Sequence, residues 1–309
     1  MAVMGYGEAA CAAVWYAMAR DPSIVVVGED VGRGGIFQQY KGLQQEFGAA
    51  RVIDTPISEA TIMGAGVGMA LAGLKPVVEM RVIDFALCAM DEIVNQAAKA
   101  RYMFGGQGRV PLVARMPIGL WSGSAAQHSQ SLEAWFAHVP GLVVVTPATP
   151  QDNYSLLRAA IDCGDPVIYL EHKELWGLKG EVTEEAGALG QAQVVRAGNE
   201  VTLVTWSRTL HAALAAETTK SVEVIDLRTL WPWDKETVFA SVRKTGKLLV
   251  VHEAVRAAGF GAEIAATVAE ELGVPVKRLG APRIPVGYSK PLEDEARIGP
   301  RQIAAALAS

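Results

Sequence analysis

Cysteine is scarce in this sequence. Its three thiols, Cys11, Cys88 and Cys163, stand at no metal-ligand or redox spacing, and an odd, scattered set makes no disulfide framework, so three reduced thiols are expected. Long hydrophobic runs are missing as well: no stretch of about 18 apolar residues is present, which excludes a transmembrane helix by hydropathy. The amino terminus, Met1-Ala2-Val3-Met4-Gly5-Tyr6-Gly7-Glu8, lacks a basic stretch followed by an apolar one. No secretory signal is therefore expected, and a soluble, cytoplasmic protein without a membrane partner is. Positive charge is in deficit, with 28 Lys and Arg against 33 Asp and Glu. That balance argues against nucleic acid as a partner, because phosphate binding needs a basic face.

Several catalytic signatures are also absent. Gly28-Glu29-Asp30-Val31-Gly32-Arg33-Gly34-Gly35 follows a strand pattern but has no Lys-Ser/Thr to complete a P-loop. Gly64-Ala65-Gly66-Val67-Gly68 imitates a dinucleotide fingerprint, yet falls inside a helical pattern instead of the turn after a strand. There is no GxSxG elbow, no HExxH and no Cys/His cluster. Nothing in the chain cradles a diphosphate or a catalytic metal.

What is present is an alternation of short β-branched runs with longer helical patterns. Strands are expected over residues 24–28, 51–54, 76–82, 110–115, 142–146 and 167–171, and helices over 8–20, 58–73, 84–104 and 149–163. Runs such as Ile24-Val25-Val26-Val27 and Leu142-Val143-Val144-Val145 are apolar on both faces, which suits a parallel sheet covered by helices on both sides. Residues 178–190, with three glycines and four charged residues, read as an exposed linker. Alternation then resumes, with strands over 201–206, 222–226, 247–252 and 276–279 and helices over 208–218, 235–244, 261–272 and 300–308. The expectation is an α/β protein of two parallel or mixed-sheet domains, residues 1–180 and 190–309. One helix carries Ala60, Gly64, Gly68 and Ala72 at four-residue spacing, hence on one face. Glycine inside a helix costs about 1 kcal/mol relative to alanine, so another backbone is expected close by, in this chain or in another.

Three residues are candidates for chemistry. Glu59 lies in the first turn of a helix, after Thr55 or Ser58 as a cap. Position alone reads it as a dipole-stabilising carboxylate; a functional role requires a buried carboxylate beside a bound heterocycle. His128 lies in the small-residue loop Ser122-Gly123-Ser124-Ala125-Ala126-Gln127-His128-Ser129-Gln130-Ser131, either as an exposed histidine or as a proton donor near neutral pH. Phe85 follows a strand end, where ligands sit in open α/β sheets, and reads as a core ring or as a stacking platform. His138, His172, His211 and His252 sit in no such loop.

Taken in order, the phrases Gly28-Glu29-Asp30-Val31-Gly32, Asp54-Thr55-Pro56-Ile57-Ser58-Glu59, Asp91-Glu92-Ile93-Val94-Asn95-Gln96-Ala97-Ala98-Lys99, Arg101-Tyr102-Met103, Gln127-His128-Ser129-Gln130-Ser131, Phe136-Ala137-His138-Val139-Pro140-Gly141-Leu142 and Val224-Ile225-Asp226-Leu227-Arg228-Thr229-Leu230 resemble the beta subunits of thiamine-diphosphate-dependent 2-oxo acid dehydrogenases. Those enzymes act on pyruvate, branched-chain 2-oxo acids or acetoin. The resemblance implies a transketolase-like pyrimidine-binding domain followed by a transketolase C-terminal domain. It also implies an alpha2beta2 heterotetramer, in which the alpha subunit holds the diphosphate and its Mg²⁺ through a Gly-Asp-Gly motif ending in Asn-Asn. That motif is missing here, so the missing phosphate site matches a missing partner.

The resemblance assigns roles residue by residue. Glu59 matches the glutamate that bonds the aminopyrimidine nitrogen, favouring the imino tautomer that removes the thiazolium proton. Phe85 matches the ring packed on the aminopyrimidine, and Ile57 a neighbouring contact. His128 matches a histidine aiding proton transfer and reductive acylation of lipoyl groups on a dihydrolipoyl acyltransferase. Leu112, Ala160, Cys163 and Asp165 match positions whose carbonyls surround a structural K⁺ in several members. Arg81 departs from the family, which carries an apolar or amide residue there. A cation beside the cofactor meets a substrate carboxylate or an acidic residue of the alpha chain. The phrases Ala125-Ala126-Gln127-His128-Ser129-Gln130-Ser131-Leu132 and Leu170-Glu171-His172-Lys173-Glu174-Leu175 lean towards acetoin cleavage. Two other readings stay open: a non-catalytic docking subunit, with Glu293, Asp294 and Glu295 helping to bind the acyltransferase core, and a stand-alone synthase without lipoyl transfer.

Overall fold

The computed structural model describes residues 1–308. Its larger sheet has seven strands in the spatial order Thr229–Trp231, Val143–Val145, Val167–His172, Val113–Ile118, Lys75–Glu79, Ile24–Gly28 and Val52–Asp54. All run parallel except Thr229–Trp231, which pairs antiparallel with Val143–Val145. The central strands are buried along their whole length, as their apolar runs require, because helices cover both faces. On one face Tyr6–Arg20 and Pro150–Asp162 pack together through Ala9, Ala13, Val14, Leu156 and Leu157, over Val26 and Val113. On the other, Ile62, Met63 and Val67 of helix Glu59–Leu71 meet Val78 and Leu112.

The second sheet has five strands, in the order Val276–Ala281, Leu248–Val255, Val201–Thr205, Val222–Asp226 and Gln193–Arg196, the last antiparallel. Its inner face joins the first core, since Val204 and Ile225, with Trp206 just past its strand, belong to the same apolar cluster as Met63 and Val78. Thr229–Trp231 crosses from the second block to finish the first sheet, so backbone hydrogen bonding ties the two together. The expected α/β class, with mixed parallel and antiparallel sheets, is the one observed.

Two expectations are corrected. Residues 178–190 are not a plain linker: Lys179–Val182 pairs antiparallel with Ala2–Gly5, because Val182 finds a buried seat there. The expected helix over 84–104 is broken into a 3₁₀ turn at Ile83–Ala89, a π-helical turn at Glu92–Ala97 and an α-helix at Ala98–Met103. Changes of helical pitch of this kind recur at functional positions. The small-residue face, left open by the sequence between a seam in this chain and one in another, meets no close backbone at Gly64 or Gly68 among the described residues. Gly68 is exposed, with nothing within 4 Å of where its Cβ would stand, and Gly64 meets only the Glu92 side chain at 3.5 Å. The glycine that does need its missing Cβ is Gly66, where one would lie 2.6 Å from Val78 Cγ2.

Candidate active site at the carboxyl edge of the larger sheet

Parallel pairing sets Gly28 beside both Asp54 and Glu79, and Glu79 beside Arg115. The carboxyl ends of neighbouring strands are thus level, and the segments leaving them emerge along one edge, where open α/β sheets bind ligands. These segments carry Glu29 and Asp30, then Ile57 and Glu59, then Arg81 and Phe85, and finally His128.

Glu59 is the first residue of helix Glu59–Leu71. Ser58 does not cap the helix with its side chain; its hydroxyl donates to Thr61 Oγ1 at 2.8 Å. The Glu59 side chain is therefore at the positive end of the helix, half-buried, with no hydrogen-bond or ion-pair partner among the described residues. Glu29 stands near it: burial, and then the charge of Glu59, push the Glu29 carboxyl up, against the opposing pull of Arg81. Arg81 is exposed and pairs with Asp30 Oδ2 at 3.5 Å, an acid that also binds Arg33 at 2.6 Å. Its first ionic partner is thus within the chain.

Phe85 sits in the first turn after the strand end, half-buried. The His128 imidazole meets it edge to face, with ring centroids 5.2 Å apart and planes at 83°. Gln130 Nε2 donates to Asp84 Oδ1 at 2.7 Å, which ties the two segments again, and Lys173 Nζ donates to the His128 carbonyl. Phe85 and His128 are therefore brought together as one unit. Ile57 is 74% exposed, an apolar side chain in solvent at the rim. Below the edge, the Glu79 carboxyl is pushed up to about 7 by burial, with Arg115 and the hydrogen bond from Tyr40 opposing.

The four residues assigned to a cation are elsewhere. Leu112 and Asp165 precede their strands, and Ala160 and Cys163 end helix Pro150–Asp162, all towards the amino edge of the sheet. The Leu112 carbonyl accepts from Val167 N–H at 2.8 Å, the Ala160 carbonyl from Cys163 N–H at 3.2 Å, and the Asp165 carboxylate pairs with Arg101. A carbonyl keeps a second lone pair, so these bonds leave room for a cation. Among the described residues no group of three or more His, Cys, Asp or Glu is arranged to hold a metal ion. Two large clefts, of about 780 and 950 Å³, are lined by Trp15, Phe37 and Trp176 and by Tyr102, Gly141 and Trp231; neither is lined by Glu59, Phe85 or His128. Along the carboxyl edge Ile57, Ser58 and Arg81 are exposed.

Sequence reasoning missed Glu29 and Asp30, although their place directly after strand Ile24–Gly28 is the same signal that marks Phe85. It also missed Lys173, and assigned Glu293 to a docking surface. Glu293 is in fact buried and turned inward, accepting from Gly123 N–H at 2.5 Å and from Arg297 Nη2 at 2.8 Å.

Residues 3–178 match the family described as transketolase, pyrimidine binding domain, and residues 190–303 the one described as transketolase, C-terminal domain. The chain is 41% identical to the 2-oxoisovalerate dehydrogenase subunit beta of Bacillus subtilis, over 99% of this chain and 98% of that one. It is 43% identical to the acetoin:2,6-dichlorophenolindophenol oxidoreductase subunit beta of Cupriavidus necator, over 94% and 92%. Against a mitochondrial pyruvate dehydrogenase E1 component subunit beta-1 of Arabidopsis thaliana it is 44% identical, over 89% and 80%. A solved split-gene transketolase, described as an inactive beta4 tetramer, shares the fold with a TM-score of 0.81 at 21% identity, over 99% of this chain and 97% of that one. Two transketolase-type domains and full-length likeness to beta subunits lead to one assignment: the chain belongs to the family of beta subunits of thiamine-diphosphate-dependent 2-oxo acid dehydrogenases.

Proposed function

We propose that this chain supplies the aminopyrimidine half of a thiamine diphosphate site, completed by an alpha subunit in an alpha2beta2 assembly. The alpha chain would hold the diphosphate and Mg²⁺, for which this chain has no motif. The observation that carries the reading is the Glu59 carboxylate, unpartnered at a helix start on the carboxyl edge of the sheet. A half-buried carboxylate with no protein partner is free to exchange water for a donor on a ligand seated at this edge. Thiamine diphosphate, when bound, supplies the carbanion chemistry, while the protein orients and polarises it. Glu59 would accept the hydrogen bond at the pyrimidine nitrogen, Phe85 would pack on the ring, and Ile57 would be covered at the rim. His128, held against Phe85, would move a proton as the acyl group passes to lipoyl on a dihydrolipoyl acyltransferase. The outward face of Gly64 and Gly68 offers a second chain's backbone a close approach. A structural K⁺ at Leu112, Ala160, Cys163 and Asp165 would brace the opposite edge and take no part in the reaction.

The reaction proposed is decarboxylation of a pyruvate-like 2-oxo acid with acyl transfer to lipoyl. The acetoin alternative is kept because two local phrases and the Cupriavidus necator relative favour it. The test is co-expression with the alpha chain, followed by a screen of pyruvate, branched 2-oxo acids and acetoin, with ferricyanide or a lipoyl domain as acceptor. Turnover of a 2-oxo acid that requires thiamine diphosphate and proceeds with the lipoyl domain is expected. Turnover of acetoin alone selects the alternative, and turnover with ferricyanide alone a stand-alone synthase. In the same screen Arg81→Met should raise KM, if Arg81 exchanges Asp30 for the substrate carboxylate. An unchanged KM for every 2-oxo acid removes Arg81 from the site.

A further inference from the structure

The loop that carries His128 is gripped from outside its own domain. It leaves strand Val113–Ile118 at Gly119, whose φ of +86° and contact with the His172 ring leave no room for a side chain. Leu120 N–H then donates to Glu253 Oε1 at 2.9 Å, and Gly123 N–H donates to Glu293 Oε2 at 2.5 Å. Both carboxylates belong to the second sheet's half of the molecule, and both are fixed in turn. Glu253 Oε1 meets His172 Nε2 at 2.7 Å and Glu253 Oε2 meets Arg208 Nη1 at 3.3 Å. Glu293 Oε1 accepts from Arg297 Nη2 at 2.8 Å. Glu174 closes the network by accepting from Arg208 Nε and Arg297 Nη1, both at 2.6 Å. Further along the loop, Lys173, only 2% exposed, donates to the His128 carbonyl itself.

The loop is held by its own turns, Ser124 N–H to the Trp121 carbonyl and His128 N–H to the Ala125 carbonyl, and by Trp121 against Phe37 and Gln130 on Asp84. Its middle, of Ser, Gly and Ala, has little side-chain packing, and there the backbone bonds to Glu253, Glu293 and Lys173 are to charged side chains, the stronger class of hydrogen bond. We infer that Glu293, acting with Lys173, is a positioning residue that holds the His128 loop in its working geometry, so that the second domain sets the acyl-transfer step. The inference rests on the reading that His128 serves that step.

The test compares Glu293→Ala with Glu293→Gln in the chain assembled with its alpha partner. By hydrogen exchange, the amides of residues 120–131 should lose protection in the alanine variant and keep most of it in the glutamine variant, whose carbonyl still accepts from Gly123 N–H. In kinetics, Glu293→Ala should lower lipoyl acylation about tenfold, the value of one charged hydrogen bond, while ferricyanide-linked decarboxylation stays within about twofold. On a His128→Ala background the same change should add no further loss. Unchanged exchange in Glu293→Ala, equal losses in both assays, or full additivity with His128→Ala would each overturn the inference. An assembly whose wild-type chain turns over nothing contradicts the functional reading instead, while the exchange result still reports on the loop.

Discussion

Charged side chains in this molecule divide by whether they have partners. Glu59 has none among the described residues, whereas Glu253 is surrounded by donors. Burial alone would raise the Glu253 carboxyl, but the charge and hydrogen bond of His172, the charge of Arg208 and the Leu120 N–H overcome it and hold the group down to about 2. A carboxyl whose folded value lies below its unfolded value stabilises the fold at higher pH. For Glu253 that contribution is fully present above about 4.5 and is lost as pH falls towards 2. Glu253→Gln should therefore be destabilised at pH 6 to 7, with its gap to the wild type narrowing as acid is added. Denaturant unfolding at a series of pH values measures this, and a gap independent of pH would contradict the assignment. The place of Glu59 at a helix start was legible in the sequence, because a turn after a strand is a local signal. Lys173 was not: a lysine following Leu170-Glu171-His172 looks like the solvated end of a strand, and only the fold brings the His128 carbonyl to it.

Helices and strands differ in how far they could be read. Strands such as Ile24–Gly28 and Val222–Asp226 were legible to the residue, because a run apolar on both faces has one comfortable place, inside a covered parallel sheet. Thr229–Trp231 and Gln193–Arg196 were not, since both are short antiparallel edges whose partners lie far along the chain. The stretch from Ile83 to Met103 shows a periodic pattern, yet changes pitch twice, which periodicity does not register. In helix Glu59–Leu71 the glycine pattern was visible while its purpose was split between faces. Gly66→Ala should destabilise the chain by about 1–3 kcal/mol, because the methyl group meets Val78 Cγ2 at 2.6 Å and Leu112 Cδ1 at 3.0 Å in a filled core. Gly68→Ala should stabilise the isolated chain by about 0.5–1 kcal/mol, having open space around it and a better helix former in place. Thermal unfolding of the two variants checks the pair; the opposite ordering would mean that the helix is rotated from the face described.

At the scale of the molecule, the two sheets act as one frame. The antiparallel strand Thr229–Trp231, the shared apolar core and the Glu253–Glu174–Glu293 network all join them, and the last of these reaches the loop of His128. In the proposed reading the edge that this frame presents is half a site, offering a carboxylate, a ring and an imidazole to a cofactor whose diphosphate the alpha chain holds. The measurement that tests this most directly is thiamine-diphosphate-dependent turnover by the Glu59→Gln chain co-assembled with its alpha partner, alongside the mass of the assembly. Turnover reduced by orders of magnitude in an assembly of unchanged mass is the expected result. Undiminished turnover would mean that the carboxylate at the sheet edge does not touch the cofactor, and that the site has been placed wrongly.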